Sequence, residues 1–114
     1  MVYDEGFSLV NPLSVRKQIE GQIAWAFSDA KWQQITIRDG GTVEGNFDTY
    51  QVARMADYPP EINIRFLKTN NKWISGVGEE ACPQIAPALA QAIFKITGKR
   101  LRSLPFGKQD LSWA

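Results

Sequence analysis

Apolar residues recur along the first third of the chain at helical spacing. Val15, Ile19, Ile23, Phe27 and Ala30 follow one another at steps of four and three, the single stripe of an amphipathic helix. Arg16, Lys17, Glu20 and Asp29 occupy the other side. Asn11 is a good N-cap and Pro12 suits the first helical position, so the pattern predicts a helix over 12–31. The period then changes. Gln33 to Arg38 alternates, with Ile35 and Ile37 on one face, and Asp39-Gly40-Gly41 supplies residues that tolerate positive φ. With Thr42 to Asn46 returning, this predicts a hairpin.

From Asn46 to Pro60 no period is kept, and the segment reads as looping. Glu61 to Lys68 alternates best of all: Ile62, Ile64 and Phe66 face one way, Asn63, Arg65 and Lys68 the other, as in a strand. Thr69 to Lys72 is a polar loop. Trp73-Ile74-Ser75-Gly76-Val77-Gly78 then leads through Glu79-Glu80 into a second helix running to about Thr97. Its stripe is Ile85, Leu89, Ile93 with Ala92, and Ile96, and Gly98 stops it. Pro83 and Pro87 cannot both hold the first helical position. Either the helix begins near Ala86 or an irregular first turn precedes it. The tail from Lys99 carries Leu101, Leu104-Pro105-Phe106 and Trp113, and is expected to pack along a larger body. Together these elements predict a single α+β domain over 1–114, with two amphipathic helices on one side of a small, mostly antiparallel sheet.

Composition narrows the chemistry. With 114 residues, 44% hydrophobic, 22% charged and a net charge of +1, the chain suits one ordinary globular core and demands neither nucleic acid nor an anionic membrane. There is no histidine, so Ser-His-Asp and Cys-His triads and histidine shuttles are unavailable within it. The single cysteine, Cys82, excludes an internal disulfide and an iron–sulfur cluster held by this chain. Acid–base work near neutral pH falls to a carboxylate, lysine or tyrosine. Met1-Val2-Tyr3-Asp4-Glu5 lacks the pattern of a signal peptide, and no apolar run approaches the ~20 residues of a membrane span. The expectation is a soluble protein, cytoplasmic or periplasmic in a bacterium.

Gly76-Val77-Gly78-Glu79 concentrates what chemistry remains. Two glycines permit close approach by a ligand and deliver a carboxylate into a loop ahead of a helix. Two readings stay open on the residues alone: a general base, or turn glycines with a glutamate near a helix N-terminus. Cys82 reads as an inert, partly buried thiol. Lys95, Lys99, Arg100, Arg102 and Lys108 read as solvated cations complementing a helix C-terminus, ahead of nucleic-acid binding. The dispersed tryptophans read as packing residues.

In order and spacing, Gly76-Val77-Gly78-Glu79, Pro83, Ile85-Ala86-Pro87-Ala88, Ala92-Ile93, Thr97-Gly98-Lys99-Arg100-Leu101-Arg102 and Leu104-Pro105 resemble the C-terminal signature of the xanthine dehydrogenase/aldehyde oxidase family. The likeness is strongest to isoquinoline 1-oxidoreductase-type large subunits. Upstream, Val10-Asn11-Pro12, Val15-Arg16, Gln18-Ile19-Glu20-Gly21, Asn46-Phe47-Asp48-Thr49-Tyr50, Arg54-Met55 and Pro60-Glu61-Ile62 match in the same order, so the resemblance spans about residues 8–106.

The resemblance implies part of a molybdopterin-dependent hydroxylase acting on N-heterocycles or aldehydes. In that family the glutamate of this segment stands beside the molybdenum and takes a proton from the oxygen that attacks an electron-poor carbon. Electrons leave through iron–sulfur clusters on a partner subunit or domain. By position Glu79 inherits the base, and Gly76, Val77 and Gly78 the cofactor-binding loop. A carboxylate shielded from water is a stronger base than an exposed one. Gln18 takes the place of a glutamine lying against the pterin, although on residues alone it is a solvated side chain. None of these residues is a metal ligand.

The chain departs from the pattern at Glu80, where proline is usual, and at Gln22, Trp25 and Phe27, where small residues are usual. Expected partners are the remaining domains of the large subunit and an iron–sulfur subunit or domain. The 114 residues alone are expected to hold no cofactor, to be inactive and to form a homo-oligomer through surfaces around Trp25, Trp73 and Leu104-Pro105-Phe106. The alternative is a free-standing binding module that keeps the fold without the chemistry.

Overall fold

The side chain of Asn11 accepts hydrogen bonds from the backbone N–H groups of Leu13 and Ser14 at 3.1 and 3.2 Å. This satisfies donors that the first turn leaves free. Helix α1 (Pro12–Lys31) follows with the predicted bounds. The computed structural model describes residues 9–67, 70–73 and 75–112. Met1–Glu5, Lys68, Thr69, Ile74 and Trp113, on which sequence expectations fall, lie outside the described residues.

The hairpin is real and short. Strands β1 (Ile37–Arg38) and β2 (Gly41–Thr42) pair antiparallel with Ile37 opposite Thr42 and Arg38 opposite Gly41. Asp39 (φ 52°) and Gly40 (φ 79°) form a two-residue loop with both φ values positive, the combination that matches strand twist. Gly41 therefore belongs to the returning strand and not to the turn. Beyond the ladder, Val43 N–H donates to the Thr36 carbonyl at 2.9 Å. The Glu44 carboxylate receives the Thr36 N–H and hydroxyl at 2.6 and 2.9 Å. The Thr36 backbone N–H leads in holding that carboxyl below its ordinary range.

Residues 61–67 keep their period of two: Ile62, Ile64 and Phe66 are half-buried while Asn63 and Arg65 are exposed. Among the described residues they join no ladder. They lie along α1, where the Arg16 guanidinium donates to the Ile64 carbonyl at 3.0 Å and stands 5.7 Å from the centre of the Phe66 ring.

The two prolines around the start of the second helix divide the work. A 3-10 turn (Cys82–Gln84) takes Pro83 in its first turn, and α2 (Ile85–Thr97) starts directly after it with Pro87 still among the first-turn positions whose N–H needs no intrahelical partner. Gly98 ends α2 in the left-handed region, φ 73°.

The α+β architecture thus agrees with the sequence, and within it the helices pack on one another. A core of Val15, Ile19 and Ala81 is lined by Leu9, Ile23, Ile64, Phe66 and Val77. At the far end of α1 the buried Ser28 hydroxyl receives Gln33 Nε2 at 2.6 Å and the Ala53 N–H at 2.8 Å. The Tyr50 hydroxyl donates to Gln33 Oε1, so these bonds pin the unperiodic 46–58 segment to the helix.

Phe106 of the tail is buried, which corrects the expectation that the whole Leu104-Pro105-Phe106 stretch stays open. The chain comes so close there that a Cβ on Gly107 would sit 2.6 Å from the Lys31 carbonyl oxygen. Trp25, Trp73 and Leu104 are exposed as expected. The radius of gyration is 17.0 Å, against about 13 Å for a closed domain of this length.

Candidate functional site

The Gly76–Glu80 loop is held from beneath by one side chain of α1. Gln22 lies in line with the buried Val15, Ile19, Ala26 and Ala30, and is itself only 5% exposed. Its Nε2 donates to the Val77 carbonyl, and its Oε1 accepts the Ala81 N–H at 2.8 Å. The Cys82 thiol lies 3.7 Å from the Gln22 carbonyl. The loop is therefore gripped two residues before and two residues after Glu79. Apolar packing reinforces both grips, since Val77 lines the core and Ala81 is wholly buried within it.

Between these anchors Gly78 and Glu79 are exposed. The Cys82 N–H closes a turn onto the Glu79 carbonyl at 3.0 Å. Glu80, the residue departing from the family pattern, bends back on the loop. Its carboxylate accepts the Glu79 N–H at 3.0 Å, and one of its oxygens lies 3.6 Å from where a Cβ on Gly76 would stand. A Cβ on Gly78 would meet nothing within 4 Å. Space beside the glutamate is open.

Sequence-predicted site residues divide between two places. Gly76, Val77, Gly78 and Glu79 stand together on this crest. Gln18 is on α1 one turn before Gln22 and is exposed. Sequence reasoning weighed Gln22 only as a bulky side chain that hinders close approach. Its place between Ile19 and Ala26 on the buried line was the available signal.

Electrostatics around the loop are acidic. Burial raises the Cys82 thiol above its ordinary value, and the charges of Asp29 and Glu79 raise it further. Burial likewise raises the Asp29 carboxyl. Among the described residues no group of three or more His, Cys, Asp or Glu side chains is placed to hold a metal ion. The loop presents the exposed Glu79 side chain and exposed peptide groups, with the Glu80 carboxylate turned back onto it. That set suits a group bringing its own metal ligands.

The basic tail is engaged locally. Lys99 pairs with Asp110 at 2.6 Å, the Arg100 guanidinium lies 4.0 Å from the centre of the Phe94 ring, and Lys108 donates to Gln34. No helix among the described residues is long and apolar enough to cross a membrane.

No family model matches the chain. Individual proteins do. It is 35% identical over 104 residues to a membrane-bound aldehyde dehydrogenase [pyrroloquinoline-quinone] of Gluconacetobacter polyoxogenes, covering 91% of this chain and 13% of that protein. It is 35% identical over 97 residues to isoquinoline 1-oxidoreductase subunit beta of Brevundimonas diminuta, covering 85% and 12%. A third relative, at 28% identity over 104 residues, is the aldehyde oxidoreductase molybdenum-binding subunit PaoC of Escherichia coli, covering 85% and 14%. The chain thus spans about one eighth of the length of each of these three relatives. Its fold is shared with a Cu,Mo-CO dehydrogenase crystallised in the carbon monoxide reduced state, at TM-score 0.73 and 18% identity, covering 88% of this chain and 14% of that one. By these relationships the chain belongs to the xanthine dehydrogenase/aldehyde oxidase family and corresponds there to one segment of the molybdopterin-binding large subunit.

Proposed function

We propose that residues 1–114 form part of the cofactor-binding domain of a molybdenum hydroxylase and supply its catalytic base, Glu79. The observation that carries this reading is the crest itself: a carboxylate beside the open Gly78 peptide, with the chain fixed on both sides of it. Molybdopterin, when bound, supplies the two-electron redox centre. Gly76, Val77 and Gly78 give it an approachable edge of backbone, because no side chain stands over Gly78. The Glu79 carboxylate takes a proton from the oxygen nucleophile as that oxygen attacks an electron-poor carbon, in an N-heterocycle or an aldehyde. Gln18, exposed on α1, would be a further residue to hold the pterin. The remaining domains of the large subunit enclose the site, and an iron–sulfur subunit or domain receives the electrons.

Glu79→Gln in the assembled enzyme tests the base. The amide keeps the shape and loses the proton acceptor, so turnover should fall by about 10²–10⁴-fold. Molybdenum content should stay that of the parent, since Glu79 is not a ligand. Turnover near the parent rate would move the role elsewhere, with Glu80 the first alternative.

The 114 residues expressed alone should hold no stoichiometric molybdenum and show no turnover, because most of the cofactor cage belongs to other segments. Their exposed apolar surface should drive self-association. Elemental analysis with light scattering measures both. One molybdenum per chain would end the claim of an incomplete site, and a monodisperse monomer would favour the free-standing module.

A further inference from the structure

We infer that Gln22 is the positioning residue of the Glu79 loop, its buried side-chain amide setting where the carboxylate stands by clamping the peptide on both sides. The inference rests on the reading of Glu79 as base, and the clamp itself can be measured without it. A primary amide presents a donor group and an acceptor oxygen in a single plane. Here the donor meets the Val77 carbonyl and the acceptor meets the Ala81 N–H. The bond to Ala81 is buried, where water cannot take the place of a lost partner, and the bond to Val77 is partly buried.

The geometry is specific to glutamine. Asparagine is one methylene too short, glutamate at neutral pH offers no donor to the Val77 carbonyl, and methionine of similar length offers neither group. The polar side chain occupies a line of otherwise small or apolar residues, Val15, Ile19, Ala26 and Ala30, so packing alone gives no reason for an amide there. What the amide adds is direction. The crest between Val77 and Ala81 begins with Gly78, whose backbone would otherwise sample a wide range of angles. Fixing the two flanks narrows where Glu79 can stand, and misplacement of a reacting group by about 1 Å can cost about a hundredfold in rate.

The test uses the assembled enzyme with Gln22→Met and Gln22→Glu in the large subunit. Hydrogen exchange is followed at the Ala81 amide and along α1, and kcat and KM are measured across pH. In Gln22→Met the Ala81 amide should exchange about tenfold faster or more, the change expected for one lost buried hydrogen bond. Exchange along α1 should be unchanged. kcat should fall by about tenfold or more with KM little altered, as for an interaction that matters only in the transition state.

Gln22→Glu should be impaired at high pH and recover as pH falls, because the protonated carboxyl regains an O–H donor for the Val77 carbonyl. An unaltered Ala81 amide in Gln22→Met would overturn the clamp. Loss of protection throughout α1 would reduce Gln22 to packing and overturn it equally. Faster exchange with unchanged kcat would overturn the positioning role. Should Glu79→Gln turn over at the parent rate, the base assignment fails, while the Ala81 exchange still decides the clamp.

Discussion

The inner line of α1 and the hairpin beyond its C-terminus draw on similar residues and end in opposite environments. Ile19 is 4% exposed, whereas Ile35 is 51% and Ile37 66% exposed. Both regions were legible as amphipathic, one with the period of a helix and the other with the period of a strand. Periodicity reports which face is apolar. It does not report whether this chain covers that face. α1 finds its cover in Ala81, Val77, Ile64 and Phe66, segments more than forty residues away in sequence. The hairpin finds no comparable cover among the described residues.

The largest expected effect strikes the covered side. Ile19→Ala should destabilise the fold by about 2–5 kcal/mol, the usual cost of emptying a buried aliphatic site, read from thermal or denaturant unfolding. The same experiment on the open side sharpens the contrast. Ile37→Ser removes apolar surface from a position that gains little from it in the isolated chain, and should stay within about 0.5 kcal/mol. An Ile37→Ser cost as large as that of Ile19→Ala would break the comparison. It would show that the hairpin region is covered in solution, by a second copy or otherwise.

The smallest effect reads the charge of the site. The Cys82 thiol is raised by burial first, and then by Asp29 and Glu79. A raised folded value favours the protonated thiol, so its stabilising contribution is complete below the ordinary thiol value. It is lost as pH rises from there through the raised one. Alkylation near pH 8, which needs the thiolate, should therefore run more slowly than for a free cysteine. Glu79→Gln should quicken it and Asp29→Asn quicken it further. A rate insensitive to both would place the two carboxylates too far from Cys82 to matter.

Much of the molecule was readable in advance. The bounds of α1, the Asp39-Gly40 turn and the Gly98 stop follow from side-chain chemistry within a few residues of each feature. The start of α2 was left between two alternatives because proline chemistry allows either, and the structure takes the irregular first turn. The 61–67 segment shows the burial period of a strand, but pairing needs a neighbour, which no local pattern supplies. Gln22 was the main omission. A polar residue on an apolar stripe looks like a flaw until its partners are known, and those partners, Val77 and Ala81, are not near it in sequence. Phe106 was misread for the same reason: only the Gly107 approach to the end of α1 brings it inside.

The bonds from Gln22 to Val77 and Ala81 close intervals of 55 and 59 residues. Such closures cost the entropy of a long loop. The crest is thus an assembled feature and not a locally encoded one. A peptide carrying Gly76-Val77-Gly78-Glu79 would hold the residues without the shape, and grafting the loop into another scaffold would have to bring the helix with it. The Glu79 carboxylate takes its place on the crest only once α1 and the 76–82 segment have met. Formation of the core and formation of the site are one event.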